Sequence, residues 1–207
     1  MSKKQAKNNN PQSANTAKSE KAGVFKIISP SFVLIIICVI ISAALAGTNA
    51  LTAAKTAELA AKTERETMKE LIPAEKYTEK SVKFDGREYT YFEAEDGGEL
   101  KGYIITTASG GYGGSVSVMS AVGTDGKIIQ IEVLDASSET PGLGQNAQKP
   151  DFKNQFKGKS GGNLTVGKQG ADADIDAVTS ATITSKAVTA AVNTASRVIE
   201  TAKGAQS

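Results

Sequence analysis

The chain has 207 residues and a formal net charge of +2, with no His, no Trp and a single Cys, Cys38. Those absences exclude a His general base, a Cys/His zinc site, a thiolate-held iron–sulfur cluster and an intrachain disulfide. Any redox chemistry must therefore come from a bound cofactor.

Charge is unevenly spread. Residues 1–26 hold six lysines (Lys3, Lys4, Lys7, Lys18, Lys21 and Lys26) against Glu20, a net +5 that leaves −3 for the rest. The tail has no Arg and one aromatic, Phe25, so a nucleic-acid partner is not expected. Residues 1–26 read as a basic tail too polar to order itself. No charged residue occurs from Ile27 to Ala54, and Phe32–Ile41 is continuously apolar. Residues 27–51 are expected to form a single transmembrane helix, since Phe32 to Leu51 gives the required length of about 20 residues. Ala44-Leu45-Ala46 resembles a signal-peptidase site, but the long leading segment favours a retained anchor. The basic flank places the N-terminus in the cytoplasm and the following residues outside.

Residues 52–73 read as an Ala-rich juxtamembrane helix, with Glu58/Lys62 and Lys62/Glu66 at i, i+4 spacing and Pro73 ending it. Residues 74–203 are expected to form one folded domain, with 204–207 a tail. It begins with strands at Glu88–Ala94, Gly102–Thr107, Ser115–Val122 and Ile128–Leu134. They are separated by the turns Glu95-Asp96-Gly97-Gly98, Ser109–Gly114 and Thr124-Asp125-Gly126-Lys127. A short helix at Asp151–Phe156 and short strands at Leu164–Val166 and Ile175–Val178 follow. The last element, Ser185–Ala202, aligns Val188, Val192, Ala195, Val198 and Ile199 on one stripe, a helix made to cover a sheet. Strands grouped together, with helices at the ends, predict an α+β fold: an antiparallel sheet with flanking helices.

Three loops carry chemistry. Gly110-Gly111-Tyr112-Gly113-Gly114 reads as a hairpin turn with an aromatic at its tip. Glu139-Thr140-Pro141-Gly142-Leu143-Gly144 reads as a rigid loop, because Pro fixes φ and the glycines permit close approach to a flat ligand; an ordinary turn fits the same string. Asp172-Ala173-Asp174-Ile175-Asp176 imitates a calcium loop, but Ala177 and Ile183 stand where Gly and Glu are needed, so no metal site is expected. Asp176-Ala177-Val178-Thr179-Ser180-Ala181-Thr182 ends in a hydroxyl cluster at the start of the last helix. Hydroxyls there ordinarily cap the helix, and the same N-terminus is a seat for phosphate.

That string resembles the Asp-x-x-Ser/Thr-Gly-Ala-Ser/Thr flavinylation motif of the FMN-binding domain found in the G subunit of Rnf-type complexes and the C subunit of sodium-pumping quinone reductases. Asp176, Thr179, Ala181 and Thr182 match; Ser180 replaces Gly, a poorer fit if the position needs φ > 0. The resemblance implies FMN held by a phosphoester on Thr182, made from FAD by a separate flavin transferase. It also implies a ring lined by Glu139–Gly144, with Tyr112 placed to stack nearby. Asp176 would assist the modification or hold the turn. The compact domain resembles the Rnf-type member most. The implied role is that of an enzyme subunit, not catalytic alone, which relays electrons among the other membrane and peripheral subunits of a ferredoxin:NAD oxidoreductase complex that moves sodium or protons. The alternatives are the corresponding component of a sodium-pumping quinone reductase, a stand-alone flavin reductase, and a non-redox protein in which Thr182 is only a cap.

Overall fold

The structure, a computed structural model, describes residues 13–168 and 170–205, with side chains from Phe32 onward. The chain divides into two units, Met1–Ala61 and Lys62–Ser207. One helix, α1, runs Ser13–Leu71. The sequence reading divides this stretch into a tail without order, a span and a separate helix. Residues 1–12 of that tail lie outside the described residues, whereas 13–26 are already helical. The difference has a simple cause. Helix formation is limited by its first turn, and residues joined to an existing apolar helix skip that cost.

Among the described residues, one stretch, Phe32–Leu71, contains a window apolar enough to cross a membrane, with mean hydropathy 2.4 and none of that window buried. Thr48, Thr52 and Thr56 bond back along the helix, donating to the carbonyls of Ala44, Thr48 and Thr52 at 2.9, 2.9 and 3.0 Å.

The second unit is built on a five-stranded antiparallel meander in the order β1-β2-β3-β4-β5. The strands are β1 Lys76–Phe84, β2 Arg87–Asp96, β3 Glu99–Gly110, β4 Ser115–Gly123 and β5 Ile128–Asp135. β1 has no counterpart in the sequence reading. It is an edge strand whose exposed Lys and Glu residues mask its few apolar ones, and Tyr77 packs on the opposite face from Val82 and Phe84, so no run of period two is left to read. β5 is followed by a 3-10 turn at Gly144–Gln148, the short helix α2 Pro150–Lys153, and a second 3-10 turn at Asn154–Phe156. The expected strands near 164 and 175 shrink to two-residue pieces, β6 Val166–Gly167 and β7 Ile175–Asp176, paired in parallel.

The last helix, α3, runs Thr182–Gly204. It starts three residues before the expected Ser185, which makes Thr182 its first residue. The expected stripe is buried: Val188, Val192, Ala195, Val198 and Ile199 pack on one face of the sheet against Val116, Val118, Val122 and Ile105. Met68, Leu71 and Ile72 pack on the opposite face against Ala94, Ile104 and Met119. β3 and β4 are therefore buried on both sides, which is why neighbours such as Ile104 and Ile105 are both apolar. Thr107 ties sheet to helix by donating to the Ala191 carbonyl at 2.9 Å.

Candidate functional site

Antiparallel pairing brings the β3–β4 turn to the same end of the sheet as the exit of β5. There the chain reverses through Ala136–Gly144, and α3 begins. A cavity of about 470 Å3 lies between them, lined by Tyr112, Glu139, Thr140, Leu143, Gly144 and residues 180–184. That is within the roughly 300–1,000 Å3 of small-molecule clefts.

The Thr140-Pro141-Gly142-Leu143 turn is set by its residues. The Leu143 amide donates to the Thr140 carbonyl at 3.1 Å, and Gly142 has φ of 76°. Pro second and positive-φ Gly third is the type II arrangement. The Asn146 side chain also holds the turn, its Nδ2 donating to the Gly142 carbonyl at 2.6 Å. Leu143 is thereby presented outward, 42% exposed. Tyr112 is 72% exposed and Ile183 is 52% exposed. All three line this one cavity, and no buried core claims them.

Glu139 behaves differently. It is only 2% exposed. Its Oε1 accepts the Gly113 amide at 3.0 Å and its Oε2 accepts the Thr184 hydroxyl at 2.5 Å. Burial pushes its carboxyl up, but hydrogen bonds from Thr184 and from the amides of Gly113, Tyr112 and Gly114 outweigh it and hold the group below the ordinary glutamate range.

The start of α3 is held by Ser185. Its hydroxyl donates to the Ala181 carbonyl at 3.0 Å and accepts the Val178 amide at 2.9 Å. No side chain caps the helix at Ala181, its N-cap residue. The hydroxyl cluster is thus not spent on capping, and the first-turn amides, which no side chain caps, stand beside exposed Thr182. Ser180 has φ of 61°, so the position does need a left-handed conformation.

Asp176 and Thr179 do not line this cavity. Both line a second one of about 540 Å3, with Lys149, Asp151 and Gln155. The Gln155 side chain holds the Asp176 backbone from both sides, accepting its amide at 2.7 Å and donating to its carbonyl at 3.2 Å. A third cavity joins Thr179, Ser180 and Thr182 to Lys168. Pro141 and Gly142 shape the loop without lining any of these cavities. In the imitation calcium loop, the Asp174 carboxylate accepts the Thr165 amide and hydroxyl, both at 2.8 Å. The sequence reading missed Ile183, Thr184 and Lys168. An apolar residue interrupting a Ser/Thr run was the available signal for Ile183; nothing local pointed to the other two.

The pattern of the FMN-binding domain matches residues 111–197, which contain the whole site. The G subunit of the proton-translocating ferredoxin:NAD(+) oxidoreductase complex of Clostridium ljungdahlii is 36% identical over 173 residues, 83% of this chain and 90% of that protein. This chain belongs to that family of G subunits. The G subunit of the Na(+)-translocating complex of Acetobacterium woodii is 34% identical, over 82% of this chain and 88% of that protein. The G subunit of the ion-translocating complex of Methanosarcina acetivorans is 30% identical over 78% and 88%. The chain is also similar to the crystal structure of the C subunit of the Na(+)-translocating NADH-quinone reductase from Parabacteroides distasonis. The two are 28% identical with a TM-score of 0.49, and the alignment covers 55% of this chain and 62% of that chain.

The site fits FMN on its own chemistry. Three exposed apolar side chains offer faces to a planar ring, and an uncapped helix N-terminus offers amides to a phosphate.

Proposed function

We propose that this member of the G-subunit family carries FMN as a phosphoester on Thr182 and relays electrons through it within a membrane-bound ferredoxin:NAD oxidoreductase complex that moves sodium or protons. Bound FMN supplies the electron chemistry that the side chains of this chain lack. The observation that carries the reading is the position of Thr182. It is the exposed first residue of a helix with no side-chain cap, at the mouth of the cavity lined by Tyr112, Leu143 and Ile183. The amides of the first turn and the N-terminal dipole favour the phosphoryl charge, and Lys168 adds a cation from the neighbouring cavity. Tyr112, Leu143 and Ile183 hold the ring by burying their own exposed surface.

Attachment is the work of a separate flavin transferase acting on FAD. The Thr182 hydroxyl gives up its proton, its oxygen bonds the FMN phosphorus, the pyrophosphate link breaks and AMP leaves. The tether retains the cofactor on the far side of the membrane. The tail to Lys26 is cytoplasmic and residues beyond about 55 are outside, because the basic flank stays in. The neighbouring subunits of the complex supply the electron donor and acceptor.

Co-expression with a flavin transferase tests the reading. The denatured chain should fluoresce in a gel, and peptide mass spectrometry should place FMN on Thr182. Thr182→Ala should carry none, whereas Thr182→Ser should keep part of the modification. FMN persisting on Thr179 or Thr184 of Thr182→Ala sinks the assignment. Impermeant labelling of a cysteine placed at Ser207 but not at Ser2 in intact cells checks the topology; the reverse pattern overturns it.

A further inference from the structure

Glu139 is a buried carboxylate that attachment does not use, and three separate parts of the chain are shaped around it. The glycine-rich turn closes on itself through the Gly111 amide, which donates to the Gly114 carbonyl at 2.7 Å. That fold leaves the Gly113 amide turned inward, and the Glu139 carboxylate accepts it at 3.0 Å. Its other oxygen takes the hydroxyl of Thr184 on the first turn of α3. Glycine at 111 and 144 lets this group sit close: a Cβ on Gly111 would stand 2.3 Å from Oε1 and 2.8 Å from a Val116 methyl, and one on Gly144 2.6 Å from Oε2 and 2.8 Å from the Thr184 hydroxyl oxygen. The loop carrying Glu139 is locked in turn by Gln145, which donates to the Glu139 carbonyl at 3.1 Å.

The turn bears Tyr112, the helix bears Thr182, and the carboxylate between them lies on the cavity wall. We infer that Glu139 is a positioning residue: an ionised latch that fixes Tyr112 against the start of α3 before any cofactor arrives, and a fixed negative charge beside the ring. A hydrogen bond to a charged group is shorter and stronger than one between neutral groups, and here it holds an otherwise exposed glycine turn in one arrangement. A fixed negative charge on the wall opposes electron uptake by a ring in the cavity and keeps its midpoint potential low. The second half of the inference rests on the FMN reading; the first does not.

Two measurements on the full-length chain decide it. In a Thr182→Ala background, which stays free of covalent flavin, hydrogen exchange is followed at the amides of 111–114. Glu139→Gln should speed exchange there about tenfold while β3 and β4 stay protected. Thr184→Val, which keeps the carboxylate, should speed it less. Unchanged exchange at 111–114 overturns the latch. Loosening throughout β3 and β4 overturns it too, because Glu139 would then be a general stabiliser. If Glu139→Gln does not fold, Thr184→Val alone carries this arm, and no change in it refutes the latch. With Thr182 flavinylated, Glu139→Gln should raise the flavin midpoint potential, and Thr184→Val should leave it nearly in place. A potential unmoved by Glu139→Gln overturns the charge assignment. A wild-type chain that takes no flavin at Thr182 refutes the FMN reading, while the exchange arm still decides the latch.

Discussion

Two glycine-rich turns sit at the two ends of β3, and they use glycine for opposite reasons. At Gly97-Gly98 both residues have positive φ, 59° and 81°, and a Cβ on either would meet nothing within 4 Å. Glycine there serves the backbone, as the twist of a tight hairpin requires. At Gly111–Gly114 none of the glycines has positive φ. Instead, a Cβ on Gly113 would stand 1.9 Å from the Ser138 carbonyl oxygen. Glycine there serves a neighbour, letting the Ser138–Gly144 loop approach. The first turn only reverses the chain; the second carries Tyr112 onto the wall of the cavity.

The largest expected effect separates these uses. Gly113→Ala sets a methyl against a backbone carbonyl that cannot rotate away, so the loop must move. It should destabilise the full-length chain by about 3 kcal/mol in thermal unfolding and release Tyr112 from its place by the cavity. Gly97→Ala meets only the left-handed backbone penalty, about 1–2 kcal/mol, less the about 0.4–1 kcal/mol that a Cβ recovers by restricting the unfolded chain. Equal losses at the two positions would erase the distinction.

The second prediction concerns pH. The folded pKa of Glu139 lies below its unfolded value. Its stabilising contribution is therefore fully present above the unfolded glutamate pKa of about 4.3 and is lost as pH falls through the lower folded value. At pH 7, Glu139→Gln should cost about 0.5 kcal/mol of global stability, small enough to leave β3 and β4 protected. The gap between wild type and variant should narrow on acidification toward pH 3. Comparing the two chains cancels Asp135 and Asp174, whose carboxyls are also held low, chiefly by the backbone amides of Ser137 and Thr165 respectively. A gap constant to pH 3 would show that the group is not held as a carboxylate.

Leu143 tests the partner loop without touching its fold. Leu143→Asp puts a charge at an exposed tip, so it should change stability by less than about 0.5 kcal/mol. It should leave Thr182 flavinylated but shift the flavin absorption spectrum and potential. Leu143→Met roughly conserves volume and should do little. A folded Leu143→Asp chain with both properties unchanged would make the loop an ordinary turn.

What the sequence disclosed follows the same division. Elements governed by local periodicity were legible: the meander from β2 onward, the apolar stripe of α3, and the long apolar run of α1. Tyr112, the Glu139–Gly144 loop and the Ser180–Thr182 cluster were legible as candidate pieces, since Gly, Pro and hydroxyl runs leave local marks. The bond between them was not. Glu139 reads as a loop carboxylate, and its burial depends on Thr184, which is 45 residues away. β1 was hidden because an edge strand can carry lysines where periodicity expects apolar residues. The start of α3 was misplaced because Thr and Ile are poor helix formers by propensity, yet Ser185 holds that first turn from both sides.

Ser180 closes the comparison, because it holds a non-glycine residue in the conformation that Gly97 adopts freely. Its φ of 61° costs about 1 kcal/mol or somewhat more in a residue with a Cβ. Ser180→Gly removes that strain but gives the unfolded chain more freedom, worth about 0.4–1 kcal/mol in the other direction. The net expectation is a small gain, under about 0.5 kcal/mol, with Thr182 still flavinylated. Gly97→Ser is the mirror experiment and should lose what Ser180→Gly gains, or slightly more. Thermal unfolding of the two variants beside wild type checks the pair. If Ser180→Gly loses more than about 1 kcal/mol, the hydroxyl of Ser180 stabilises the loop beyond what its backbone requires, and a serine stands there for its side chain.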